Sequence, residues 1–315
     1  MKISRKTTAL TAAGLGLALA LTACSGGGDG GDSQAPVEES ELSGASFTVG
    51  SKEFTESHVL GQITMLALEN AGADVTDQTG ISGSATVREA LETGEIDMYW
   101  EYTGTSWVNY LGNTTEDLPD DLFAAISEAD AANGIAYLEP ANFENSYRIA
   151  VKTEFADEHG LAIMSDAAEF IASNPGEASI CAASEFIARD DGLPGLEAAY
   201  DTAFTPVVEL DLNLIYTQIG ESCNFGEVFS TDARIISNDL TVLDDDQKFF
   251  VEYAGLLSLR TETLEEYPVI AEIFAPISAA LTNEVMTELN GEVDNFGEEP
   301  RDVAEAWLID NGFIG

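Results

Sequence analysis

Apolar and polar residues follow one another along most of the chain in two periods. Phe47-Thr48-Val49-Gly50-Ser51 alternates as a strand does and runs into a turn. Val59, Leu60, Ile63, Leu66 and Ala67 then recur at helical spacing over Glu56 to Ala71, with Thr55 in the N-cap place and Gly72 beyond the end. Ser84 is placed to cap a second helix running through Leu91 and stopped by Gly94, followed by a strand over Ile96 to Trp100. The loop Tyr102-Thr103-Gly104-Thr105 leads into the next helix. Further helices are expected over Asp120 to Ala132, from Ser165 to Asn174-Pro175-Gly176, over Leu193 to Tyr200 and over Leu212 to Ile219. Strands are expected at Ile135 to Leu138, Tyr147 to Val151, Ala178 to Ala183, Val207 to Leu210 and Glu227 to Phe229. From Thr261 the pattern is helical: Leu264 to Ala275, Pro276 to Leu289 and Asp302 to Asp310. Strand–helix units in succession predict an α/β fold with parallel sheets covered on both faces.

The first residues set the compartment. Lys2, Arg5 and Lys6 precede a short apolar run, Ala9 to Leu21, which is below the ~20 residues of a membrane span. The run ends in Leu21-Thr22-Ala23-Cys24, which resembles the bacterial lipobox. Residues 1–23 are therefore expected to be a signal peptide and Cys24 to be acylated; plain secretory cleavage after Ala23 is the other reading. Residues 24–45, rich in Gly, Ser, Asp and Glu, are expected to be a flexible tether. The protein would then sit on the outer face of a cell membrane, held by lipid alone, in an oxidising compartment.

Charge narrows the partners. The 315 residues carry 57 acidic and 12 basic side chains, a formal net charge of -45, and removal of Lys2, Arg5 and Lys6 leaves nine bases. Such a surface excludes a nucleic-acid backbone and an electrostatic grip on anionic lipid. Two histidines and three cysteines leave little for a metal centre, and no cofactor is implied.

Two segments are distinctive: Val49-Gly50-Ser51-Lys52-Glu53-Phe54-Thr55-Glu56 and Asp97-Met98-Tyr99-Trp100-Glu101-Tyr102-Thr103-Gly104-Thr105. With Asn145-Ser146-Tyr147, Glu185 to Leu196 and Phe229 to Ile235, in that order, they resemble the substrate-binding lipoproteins of osmoprotectant ABC transporters, the ProX-type glycine betaine and choline receptors. The resemblance implies a two-lobed, type II periplasmic-binding-protein-like α/β fold. It places a ligand cleft between the lobes and two crossovers, near Phe143 to Ser146 and near Gln247 to Phe250. Residues 46–144 plus 250–315 would form lobe I and 145–249 lobe II. It implies an ABC permease with its ATPase as partner. A monomer is expected, and no set of nucleophile, base and orienter points to an enzyme, so a lipid-anchored enzyme is a distant third reading.

Glycine betaine joins a trimethylammonium to a carboxylate. The methylated nitrogen donates no hydrogen bond, so aromatic faces are its expected partners, each contributing roughly 0.5–1 kcal/mol, or about 2 when dry. By resemblance the cage maps to Tyr102, Tyr147, Phe229 and Tyr253, with Asn145 near the cation. The carboxylate maps to Lys52, Thr105 and Arg189. The bland alternatives are packing aromatics, a solvated Lys52, and an Arg189 paired with Asp190 or Asp191. A free pair of bases at the carboxylate implies a preference for betaine over choline of about a hundredfold. Choline or carnitine is the alternative ligand class. Cys181 and Cys223 lie near strands of the second lobe, where export favours a disulfide over two buried thiols.

Overall fold

A computed structural model describes residues 41–115 and 117–315; the signal segment and Cys24 lie outside the described residues. Among the described residues ten strands form two sheets of five. The first contains β1 (Ser46–Lys52), β2 (Asp74–Ile81), β3 (Met98–Tyr102) and β4 (Ile135–Tyr137), joined by the late strand β10 (Gly255–Arg260), in the order β2-β1-β3-β10-β4. The second contains β5 (Tyr147–Lys152), β6 (Ile180–Ala182), β7 (Val207–Glu209), β8 (Phe225–Phe229) and β9 (Leu240–Leu243), in the order β7-β6-β8-β5-β9. Both sheets are mixed rather than all-parallel, because a strand enters each after a crossover. β10 runs antiparallel to β3 and β4, and β5 runs antiparallel to β8 and β9.

The two crossing segments pair with each other. The backbone N–H of Asn145 donates to Tyr253 O at 2.9 Å, and that of Gly255 donates to Phe143 O at 3.2 Å. A side chain at Gly255 would meet the Phe143 ring at 2.2 Å, so only glycine lets these segments lie together.

The helix Thr55–Asn70 follows β1 and is buried on most of its surface, between the first sheet and the C-terminal helices Asn283–Asp294 and Pro300–Asp310. Its predicted cap is corrected: Phe54 holds the N-cap position, and the Thr55 hydroxyl donates instead to Asp294 Oδ1 at 2.6 Å. Pro276 does not begin a helix but lies inside Val269–Ala280. Leu42 and Ala45 are buried, and Leu42 N donates to Ala71 O, so the packed chain reaches back past Ser46, where the tether was expected to end. Among the described residues no helix is long and apolar enough to cross a membrane.

Cys181 on β6 and Cys223 just before β8 are joined in a disulfide, with Cα atoms 5.7 Å apart, inside a core that includes Ile215, Tyr216, Ile219 and Val228. The bridge closes a separation of 42 residues. In the chain-entropy description such a loop is worth roughly 4 kcal/mol. Replacing both cysteines by serine is expected to lower the unfolding free energy by about 2–5 kcal/mol in denaturant titrations. Unchanged stability would mean that the bridge contributes nothing beyond the packed core.

Candidate functional site: an aromatic and charged cavity between the sheets

The loops that leave β1 and β3 in the first sheet face those that leave β6 and β8 in the second, across a cavity of about 260 Å³. All eight residues singled out as ligand contacts line it: Lys52, Tyr102, Thr105, Asn145, Tyr147, Arg189, Phe229 and Tyr253. Residues the sequence reading missed also line it, chief among them Phe54, Ser84, Glu185, Asp211 and Glu227.

The rings form a curved wall with members on both sides of the seam. Tyr147, at the start of β5, stands 5.1 Å from Phe229, centroid to centroid, and perpendicular to Tyr253 at 5.5 Å. Phe54 continues the wall, 5.3 Å from Phe229 and 6.2 Å from Tyr102. A side chain on Gly104 would meet Val251 at 2.6 Å and the Tyr253 ring at 2.7 Å, so glycine at that turn is what lets Tyr253 reach the wall. Burial drives the phenols of Tyr102, Tyr147 and Tyr253 well above their ordinary value, so the wall stays uncharged.

The two bases are buried and already partnered. Lys52 Nζ donates to Glu101 Oε1 at 2.5 Å and lies 5.2 Å from the centre of the Tyr102 ring. Glu101 also accepts from Tyr99, Tyr110 and the backbone of Tyr102. Arg189 donates to both oxygens of Asp191, at 2.8 and 2.6 Å, and to Glu185 Oε1 at 2.8 Å. Its guanidinium lies 5.3 Å from the Tyr147 centroid. Asp191 accepts from the Tyr253 hydroxyl as well, at 2.6 Å. The expectation of two free bases is therefore corrected: each carries its own carboxylate, because a lone buried cation costs several kcal/mol. Three of the five guanidinium donors of Arg189 are used, leaving two for a ligand.

Carboxylates outnumber bases on the cavity wall, where Glu53, Glu185, Asp211 and Glu227 face Lys52 and Arg189. Glu185 reaches across the seam, accepting from Ser84 N at 3.1 Å and from Ser84 Oγ at 2.7 Å. Ser84 was expected to cap its own helix; Gly83 holds the N-cap place, and Glu185 from the other sheet binds the open N–H of the helix Ser84–Thr93. Burial alone would raise the pKa of Glu185. The charges of Lys52 and Arg189 and the hydrogen bonds from Ser84 outweigh it and bring it to about 2. Glu227 is the reverse case. Burial pushes it up to about 8, only partly offset by the hydrogen bond from Ala183 N at 2.8 Å. It therefore stands as a neutral acid at pH 7, able to donate from its free oxygen.

Two sheets with a ring-lined, charged cavity between them define a solute-binding protein of two lobes. The chain belongs to the family described as the substrate-binding domain of ABC-type glycine betaine transport systems, whose model matches residues 45–310. A glycine-betaine-binding protein of Pseudomonas aeruginosa is 33% identical over 282 residues, 85% of this chain and 90% of that one. An ergothioneine transport permease/ergothioneine binding protein of Helicobacter pylori is 32% identical over 275 residues, covering 86% of this chain but 48% of that longer protein. The solved structure of apo YehZ from Escherichia coli superposes with a TM-score of 0.61 at 27% identity, covering 85% of this chain and 99% of that one. These relatives are transport binding proteins, and the chain is a binding protein of this kind, not an enzyme. Its family works outside the cytoplasm with an ABC permease.

The raised Glu227 makes a pH prediction. A carboxyl held at about 8 when folded and near 4.5 when unfolded contributes stability that is complete below 4.5. That contribution is lost as pH rises through about 8. Glu227→Gln is expected to remove this slope, on the order of a few kcal/mol across the window, in thermal melts of the unliganded protein from pH 5 to 9. Parallel wild-type and variant curves would show that Glu227 is already ionised at neutral pH.

Proposed function

We propose that the chain is the extracytoplasmic receptor of an ABC importer for quaternary-ammonium osmoprotectants, glycine betaine or proline betaine first among them. The observation that carries this reading is the convergence of Tyr102, Phe54, Phe229, Tyr147 and Tyr253 on one cavity that also holds Lys52 and Arg189. The rings suit a cation that cannot donate a hydrogen bond. The unused donors of Lys52 and Arg189, with Thr105 and the neutral Glu227, suit the carboxylate. Lobes of residues 46–144 plus 250–315 and of 145–249 would close on the ligand about the paired crossing segments. The receptor, a monomer anchored through acylated Cys24, would deliver its ligand to a permease driven by an ATPase.

A second reading, choline or another monocation, is favoured by one feature. Both bases are already neutralised and the wall is acidic on balance, so a ligand without a carboxylate leaves donors unused rather than charges bare. Such a loss is worth about 1–2 kcal/mol, so the expected discrimination against choline falls from a hundredfold to about tenfold.

Calorimetry of the wild type against glycine betaine, proline betaine, carnitine, choline and ergothioneine tests the reading. Glycine betaine is expected to bind about tenfold more tightly than choline. Arg189→Ala is expected to weaken betaine and narrow that gap, whereas Tyr147→Ala weakens both ligands by similar factors. Choline binding as tightly as betaine would replace the first reading by the second, and silence across the panel would defeat both.

A further inference from the structure

Behind the ring wall lies a buried carboxylate that no part of the reading above uses. Glu56 is 2% exposed and forms no ion pair among the described residues. Its Oε1 accepts from the Tyr102 hydroxyl at 2.7 Å and from Asn145 Nδ2 at 2.8 Å. Its Oε2 accepts from the Thr231 hydroxyl at 2.6 Å and from Asn290 Nδ2 at 3.1 Å. Two of these donors, Tyr102 and Asn145, line the ligand cavity. The donors also come from different parts of the fold. Tyr102 ends β3 in the first sheet, and Asn290 lies on the helix Asn283–Asp294, which packs against Thr55–Asn70. Thr231 follows β8 of the second sheet, and Asn145 sits on the crossing segment.

Four neutral donors on one carboxylate describe a site built to hold negative charge without a base beside it. The charged groups around the same hollow are Asp232, Arg234 and Asp294. Arg234, the base among them, is spent on Asp232 at 2.6 Å and Asp294 at 3.3 Å. Lys52, across the Tyr102 ring, is spent on Glu101. A quaternary ammonium arriving on the other side of Tyr102 and Asn145 would meet a carboxyl that no base in the described residues pairs with and that burial has made readier to keep its proton.

We propose that Glu56 is the fixed counter-charge of the ligand's quaternary ammonium, acting through Tyr102 and Asn145. Its bond from Thr231 completes that arrangement only when the two lobes are closed. It is a positioning residue that touches no ligand, and it makes capture of the cation and closure of the seam one event. The ring faces alone would hold any methylated head of the right size; Glu56 makes the head's positive charge count. This rests on the reading of the cavity as a quaternary-ammonium site.

The test separates charge from shape. Glycine betaine and 3,3-dimethylbutanoate have the same outline and the same carboxylate, but the second has carbon in place of the charged nitrogen. Calorimetry on the full mature chain compares the wild type, Glu56→Gln and Thr231→Val. Glu56→Gln is expected to weaken glycine betaine roughly 10- to 30-fold, the effect of a unit charge roughly 8 Å away at an effective dielectric of about 20. The same change is expected to leave 3,3-dimethylbutanoate unchanged or to tighten it. Thr231→Val, which keeps the charge, is expected to weaken both ligands alike through closure.

A pH series gives the independent readout. Burial raises the Glu56 carboxyl above its ordinary value, and a bound cation would lower it again. Binding then expels a proton, and betaine affinity falls as pH drops through the raised value. The series is run in a Glu227→Gln background and again with Asp294→Asn added, since burial also raises Asp294 beside the same hollow; a pH dependence that survives both belongs to Glu56 and decides the matter even if Glu56→Gln fails to fold. Loss of both ligands by one factor in Glu56→Gln, unchanged betaine binding in that variant, or a flat pH series would overturn the proposal. A wild type that binds no quaternary ammonium would instead overturn the functional reading on which it rests.

Discussion

Lys52 and Arg189 stand in a seam largely closed to water, and the need to neutralise them there orders the rest of the cavity. An unpaired buried cation costs several kcal/mol, so Glu101 and Asp191 lie directly against them. Each carboxylate then recruits aromatic hydroxyls. Glu101 takes those of Tyr99 and Tyr110, and Asp191 takes that of Tyr253 and thereby fixes one ring of the wall. The rings and the bases are one construction: the ion pairs set the orientation of the surfaces that would meet a methylated cation.

The same logic joins the two lobes. On one side of the cavity Glu185 binds Arg189 within its own lobe and Ser84 in the other. Behind the rings, Thr231 reaches Glu56, Arg234 reaches Asp294 and Ser237 reaches Asn295. These contacts across the seam are polar, and in the proposed function water would replace them when the lobes part. In the proposed function a ligand would shift the seam by the difference in its contacts to closed and open forms, and rings on both sides of the cavity would provide that difference.

Much of this was legible in the sequence, for identifiable reasons. The eight predicted contact residues fall in short segments of unusual composition, and all eight line one cavity. Helices with a clear apolar face, such as Thr55–Asn70, were visible to within a residue or two. β2 was not seen, because Asp74–Ile81 is a polar edge strand with no buried alternation. β10 was not seen because Gly255-Leu256-Leu257-Ser258-Leu259 has no period that separates strand from helix. Phe54 lies two residues from Lys52, and a large ring at an N-cap position is the one signal in the sequence that marks it. The partners of the bases were the largest omission. Asp191, two residues after Arg189, and Glu185, one helical turn before it, are legible from spacing alone, whereas Glu101 meets Lys52 only through the fold.

The central claim is that an aromatic cavity shared by two lobes closes on a methylated cation. Small-angle X-ray scattering of the mature protein, with and without saturating glycine betaine, tests it most directly. The account predicts a smaller radius of gyration in the liganded sample and no change for Tyr147→Ala at the same ligand concentration. An unchanged radius in wild-type protein shown by calorimetry to be saturated would contradict it.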